Sequence, residues 1–445
     1  MNRTLSCLIV AWFFVAISIA PGQTPPAWKA GAASGVITPQ QPTWMAGYAS
    51  RTKPSEGKFQ DLNAKALVLE DPAGTRFVLL SLDLIGIPRE IRDDLEKRVA
   101  ALGIKREGLL ISCSHTHSGP VVRSRDSFFE LPPNEQQRVD QYAAELPAKL
   151  VEVIQRAIAD LGPARLGYSY ARAGFAMNRR LPTPNGFANS PYPDGPVDHQ
   201  VPVLRVERPD GKLRAVVFGY ACHNTTLALF QFSGDYAGYA QQYLEEAHPG
   251  TVALFVTGCG ADQNPYPRGK LEMAQQHGRT LALAVEAALM PKARAVAGPL
   301  RLGLQEIPLE MVPTPREELQ KMQRGGAYEK RYATRLLEKY AKGEPVSTTY
   351  PYLIQAVRLG DDLLLIALAG EVTVDYSLRL KREIAGPAVW VAGYANDVFG
   401  YVPSARVIQE GGYEVTGSLP YYILPGPFAG SIEDRIVAKA KEMAR

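Results

Sequence analysis

Cysteine is scarce in this chain of 445 residues: there are four, and Cys7 falls in a leader-like segment, which leaves Cys113, Cys222 and Cys259. An odd number cannot all pair, so a densely cross-linked scaffold is excluded. All three lie in or just after apolar strand-like runs and read as small buried side chains; a disulfide between two of them, or Cys222 beside His223 as a thiolate ligand, are the alternatives. Past Ala20 no apolar run approaches the ~20 residues that cross a bilayer, so no stable membrane span is expected once a leader is removed. Charge of one sign is also lacking. The 49 basic and 45 acidic residues are interspersed, giving a formal net charge of +4 with no basic stripe, which argues against a nucleic-acid partner. There is no internal repeat, low-complexity tract or linker, and nothing that signals an oligomeric state.

The N-terminus has a basic start (Arg3), an apolar stretch from Leu5 to Ala20 ending in Ser18-Ile19-Ala20, and a proline-rich segment after it. That pattern reads as a secretory signal peptide over residues 1–22. The mature chain is therefore expected to be exported, to a periplasm or the extracellular space.

The remainder, 23–445, alternates between the two hydrophobic periods. Runs 66–70 and 76–83 flank the turn Asp71-Pro72-Ala73-Gly74 and predict a hairpin. Apolar positions 91, 95, 99 and 102 predict an amphipathic helix over 89–102. Further strands are expected at 109–113, 164–171, 201–207, 215–222, 251–256, 352–358, 363–368 and 389–392. Helices are expected near 135–161, 239–247, 271–289, 374–384 and 432–443, with a Pro/Gly/Asn-rich loop over 181–196. A charged helical segment, 313–342, reads as an insertion or lid. The alternation predicts one large α/β domain with a mixed β-sheet and flanking helices.

The most informative stretch is Ser114-His115-Thr116-His117-Ser118-Gly119-Pro120, which follows the apolar run Leu109–Cys113. On an extended backbone, side chains two apart share a face, so both imidazoles are expected to meet one pocket. The chain has only six histidines. A third, His223, also follows an apolar run, while His199, His248 and His277 lack any motif and read as surface or loop residues. Other polar clusters end apolar strands: Asp83, Ala261-Asp262-Gln263-Asn264-Pro265, Gly370-Glu371, and Asn396-Asp397 leading to Tyr401. Ligands in α/β sheets gather beyond the carboxyl ends of strands, so these clusters are candidates for one site. Asp83 and Asp235 read as turn and helix caps.

These segments, with Ser233–Tyr239, Asn178-Arg179-Arg180, Ala392–Val402 and the opening Gly31–Tyr48, resemble in order the motifs of the neutral/alkaline non-lysosomal ceramidase family. The resemblance implies a zinc amidohydrolase acting on ceramide or a related N-acyl lipid. It implies Zn²⁺ bound by His115, His223, Glu371 and Tyr401 at strand carboxyl ends. It also implies that His117 carries protons, that Tyr413 donates to a developing oxyanion, and that Arg179 and Asn264 face a small-molecule substrate.

Two departures stand out. The family places a serine where this chain has Asn264, and an amide cannot serve as a serine-type nucleophile. The family also carries a C-terminal β-sandwich, whereas this sequence ends at Arg445 soon after the last shared motif. Two alternatives follow: a hydrolase of the same fold acting on a polar amide or ester such as an N-acylated sugar, and a non-catalytic metal- or sugar-binding homologue.

Overall fold

The computed structural model describes residues 28–122, 130–422 and 424–445. The proposed leader, 1–22, lies outside the described residues. Among them no helix is long and apolar enough to cross a membrane.

The frame is four layers, helices on sheet on sheet on helices. The larger sheet runs, edge to edge, Val252–Thr257, Leu213–Tyr220, Gln200–Glu207, Gly162–Arg172, Trp28–Val36, Asn63–Glu70, Arg76–Leu82, Leu109–Cys113, with Arg294–Val296 added beside Gly162–Arg172. Its two edge pairs are parallel and its interior pairs antiparallel. A second sheet packs on it, in the order Leu300–Glu310, Thr349–Leu359, Leu363–Leu368, Ala388–Ala392. The expected mixed α/β architecture is therefore present.

Period-two alternation explains why these strands sit in the middle. Leu67, Leu69, Phe77, Leu79, Val217, Leu254 and Val256 face Leu363, Leu365 and Trp390 across the two sheets. The intervening Val68, Val78 and Leu80 meet the helices Arg89–Ala100 and Pro133–Ala159, and Val216 and Phe218 meet the helices Asp235–Ala247 and Leu271–Leu289. Strands buried on both faces are apolar at nearly every position. That is why 109–113 and 215–222 read as near-continuous hydrophobic runs, with Ser112 the polar exception.

Two expectations need correction. Residues 181–196 are mostly not a loop: Ala176–Thr183 and Gly186–Tyr192 form a hairpin turning at Pro184-Asn185. Its first strand is held by tertiary pairing with Gln263–Pro265 rather than by local propensity. His277 is not at the surface; it is buried in its helix, its ring stacked on Phe175 and its Nε2 2.7 Å from the Pro267 carbonyl. The segment 313–342 forms two helices, Arg316–Met322 and Ala327–Lys342, that are packed down through Leu319, Tyr332 and Leu336. Cys113, Cys222 and Cys259 are all free and buried.

Candidate metal centre

The site forms where the carboxyl ends of strands from both sheets meet. Beyond Cys113 the chain turns, and His115 adopts a left-handed conformation at φ 60°. The two imidazoles thus face one another through a turn and not through strand alternation, which corrects the expected reason for their meeting. Thr116 bridges to Asn224, drawing the His115 turn onto the His223 turn. Tyr394 and Asn396 are left-handed too, at φ 52° and 64°. Such non-glycine conformations cost about 1–3 kcal/mol each and persist where the surroundings enforce them. Here the Asn396 side chain supplies part of that enforcement, accepting from the Ile111 N–H and donating to Gln355.

Glu371 and Tyr401 arrive together. Glu371-Val372 and Tyr401-Val402 are two-residue parallel strands in which Glu371 is the register partner of Tyr401. Arg179 comes from the hairpin strand paired to Gln263–Pro265, which carries Asn264 beside it. Tyr413 opens a short π-helical turn after Gly411 and Gly412, both at positive φ.

Hydrogen bonds set the chemistry of the two buried imidazoles. His115 Nδ1 lies 2.7 Å from the Ile85 carbonyl and His223 Nδ1 lies 2.8 Å from the Gly260 carbonyl. A carbonyl only accepts, so both Nδ1 atoms carry the proton and both Nε2 atoms present lone pairs. Each Nε2 lies 3.2 Å from Glu371 Oε2. That oxygen is buried and has no hydrogen-bond donor. His117 Nε2 is 3.2 Å from His115 Nε2, and ring nitrogens of all three histidines lie within 4.8 Å of one another. The Tyr401 hydroxyl is 3.4 Å from His223 Nε2.

Imidazole nitrogens and a carboxylate oxygen converging at this distance form a donor set that fits a metal ion. His117 belongs to the cluster by distance, closer than an outlying proton carrier needs to be. The glycine at 47 is required here: a Cβ would come within 2.4 Å of the His117 ring.

Electrostatics agree. Burial lowers the His223 pKa to about 4, aided by Arg179, and burial with the neighbouring imidazoles holds that of His117 well below its ordinary value. Burial alone would raise Glu371, but His115 and His223 hold it well below the ordinary carboxylate range. Near neutral pH His117 and His223 are therefore neutral and Glu371 is ionised.

A buried arginine borders the cluster. Arg179 Nη2 donates to the Tyr401 hydroxyl at 3.0 Å, and its Nη1 lies 3.3 Å from His223 Nε2 and 3.4 Å from Asn264 Oδ1. Its Nε donates to Glu414 Oε1 at 3.0 Å. Asn264 Oδ1 also accepts from Thr225 at 3.3 Å. The Tyr413 ring stands 5.6 Å from that of Tyr401 and is 37% exposed. All eight sequence-derived site residues thus gather at one place. Sequence reasoning missed Tyr422, whose hydroxyl donates to Glu371 Oε1, and Glu414, which binds Arg179 and Arg180 together. Neither sits in a pattern that marks it.

Fold and site together define a mixed α/β protein with a buried histidine–carboxylate cluster able to hold a metal ion. Residues 28–264 match the family described as "Neutral/alkaline non-lysosomal ceramidase, N-terminal", and the chain belongs to that family. It is 28% identical over 259 residues to neutral ceramidase A of Dictyostelium discoideum, covering 53% of this chain and 35% of that protein. Neutral ceramidase B of the same organism is 27% identical over 249 residues, covering 51% and 33%. The chain thus aligns with about a third of the length of these curated relatives. The crystal structure of neutral ceramidase from Pseudomonas aeruginosa matches with a TM-score of 0.74 at 22% identity, covering 95% of this chain and 74% of that one. A structure titled "Ceramidase complexed with C2" matches at 0.73 and 21% identity, covering 95% and 75%. The family match ends at Asn264, so Glu371, Tyr401 and Tyr413 stand on the geometry alone.

Proposed function

We propose that this protein is a zinc-dependent amidohydrolase that cleaves the N-acyl bond of an N-acyl lipid. One observation carries the reading: two imidazole Nε2 lone pairs and an undonated carboxylate oxygen meet at 3.2 Å, with a phenol at 3.4 Å. Nitrogen and oxygen donors in this proportion suit Zn²⁺ held by His115, His223, Glu371 and Tyr401. Zinc bound there supplies a Lewis acid that lowers the pKa of water toward about 7.

The chain's own residues do the rest. Tyr413, pushed up to about 12 by burial, stays protonated and donates to the carbonyl oxygen as it gains charge. One such donor is worth roughly 3–4 kcal/mol. His117, held neutral by its surroundings, takes a proton and passes it to the leaving amine. Asn264 supplies no nucleophile; it accepts from the guanidinium of Arg179, which donates in turn to the Tyr401 hydroxyl and so positions that ligand. We also propose that residues 1–22 direct export and that 23–445 act as one domain.

The test is metal analysis joined to hydrolysis of a fluorescent short-chain N-acyl lipid. Chelator-sensitive turnover that is lost in His115→Ala supports the reading. Protein that binds no zinc, or a His115→Ala variant with wild-type turnover, overturns it. Zinc binding without turnover favours a non-catalytic role.

A further inference from the structure

Two cavities open on the histidine cluster from different sides. One, of about 350 Å³, is walled by the rings of Tyr48, Tyr328, Tyr401, Tyr413 and Tyr421, with the exposed Ser50 at its rim. The other, of about 370 Å³, is apolar within: Ile85, Ile87, Val122, Met311, Phe399 and Leu424 line it. They share His115, Ile85, Tyr421 and Tyr422, so the cluster lies at their junction. His117 and Tyr413 line the tyrosine-walled cavity and not the apolar one.

Resting on the hydrolase reading above, we infer that the substrate is an N-acyl amine whose single aliphatic acyl chain fills the apolar cavity, while a short, hydroxyl-bearing amine occupies the tyrosine-walled one. The direction follows from the two linings, one aliphatic and one of phenol rings. Phenol rings offer apolar faces edged with hydroxyl oxygens, which suits polyol and sugar-like groups and gives a long hydrocarbon base less than an aliphatic wall does.

The far cavity selects an uncharged chain. Arg89, the cation lining it, is held by Asp397 at 3.2 Å, Glu306 at 2.9 Å and the Pro351 carbonyl at 2.6 Å. The carboxyl groups of Glu90 and Asp397 line the same cavity, so an acyl group ending in a carboxylate would meet like charge there. A plain aliphatic tail meets no such repulsion and gains from each methylene it buries.

The experiment compares lauroyl amides of glucosamine, ethanolamine and sphingosine with the zinc-loaded full chain, in mixed micelles. The expected result is kcat/KM at least about tenfold higher for both short hydroxylated amines, a difference of ~1.4 kcal/mol. Val398 also lines the apolar cavity; Val398→Trp and, independently, Met311→Phe should lower the ratio of lauroyl to butanoyl kcat/KM by filling it. If lauroyl sphingosine is the best substrate, or both variants leave the chain-length ratio unchanged, the inference is overturned and the hydrolase reading stands. If no amide is cleaved, the hydrolase reading itself is overturned and this inference with it.

Discussion

The Tyr422 hydroxyl donates to Glu371 Oε1 while Glu371 Oε2 faces the Nε2 atoms of His115 and His223. One carboxylate oxygen is thereby pinned and the other left for a metal. Removing the pin in Tyr422→Phe should weaken zinc binding about 10–100-fold, the usual effect of losing a partner that orients a ligand. Competition against a chromogenic chelator measures this directly, and unchanged affinity would show that packing alone orients Glu371.

Tyr413 is expected to act on turnover more than on binding. The variant Tyr413→Phe keeps the ring and loses only the donor, so kcat should fall about 10²–10³-fold with KM nearly constant. A rise in KM at constant kcat would instead place the hydroxyl on bound substrate in its ground state.

Asn264, an amide at a position where the sequence resemblance leads one to expect serine, is buried and accepts from Arg179 and Thr225. Its contact with Arg179 is long, 3.4 Å, so Asn264→Ala should cost no more than about tenfold in kcat/KM, or ~1.4 kcal/mol. Complete loss of activity would give the amide a direct chemical role.

Acid should destabilise the metal-free protein through its imidazoles. His223 has a folded-state pKa of about 4 against an ordinary 6.5, so the folded chain binds this proton more weakly than the unfolded one. Its contribution is complete above about pH 6.5 and is lost as pH falls toward 4. Between about pH 7 and pH 5 the loss is about 2 kcal/mol. Asp235 and Asp262, each raised to about 6 by burial, act with the opposite sign between about 6 and 4. The informative quantity is therefore the difference between wild type and His223→Gln in urea unfolding of chelator-treated protein. Wild type should lose relative stability on acidification, and parallel pH profiles would remove the effect.

How far the site could be read in advance depended on the kind of element that carries it. His115 and His223 were legible because each follows a strand buried on both faces, and such strands are near-continuous apolar runs. Glu371 and Tyr401 sit on strands of two residues, too short to show a period. Their pairing appears only once the sheets are stacked, and before that they rested on resemblance. The 176–192 hairpin was hidden because Pro182, Pro184, Asn185 and Gly186 signal a loop, while its pairing partner lies far along the chain at 263–265. His277 looked like a surface residue because nothing in its helix shows that Phe175 lies against it. Tyr422 was illegible for a related reason: its partner is 51 residues away, and the chain has 21 tyrosines.

Anomalous diffraction at the zinc edge from crystals grown with one equivalent of Zn²⁺ tests the metal assignment most directly. The expected map has one strong peak per chain, about 2.0–2.2 Å from His115 Nε2, His223 Nε2, Glu371 Oε2 and the Tyr401 oxygen. A map with no peak among these four side chains, or with its peak elsewhere, would contradict it.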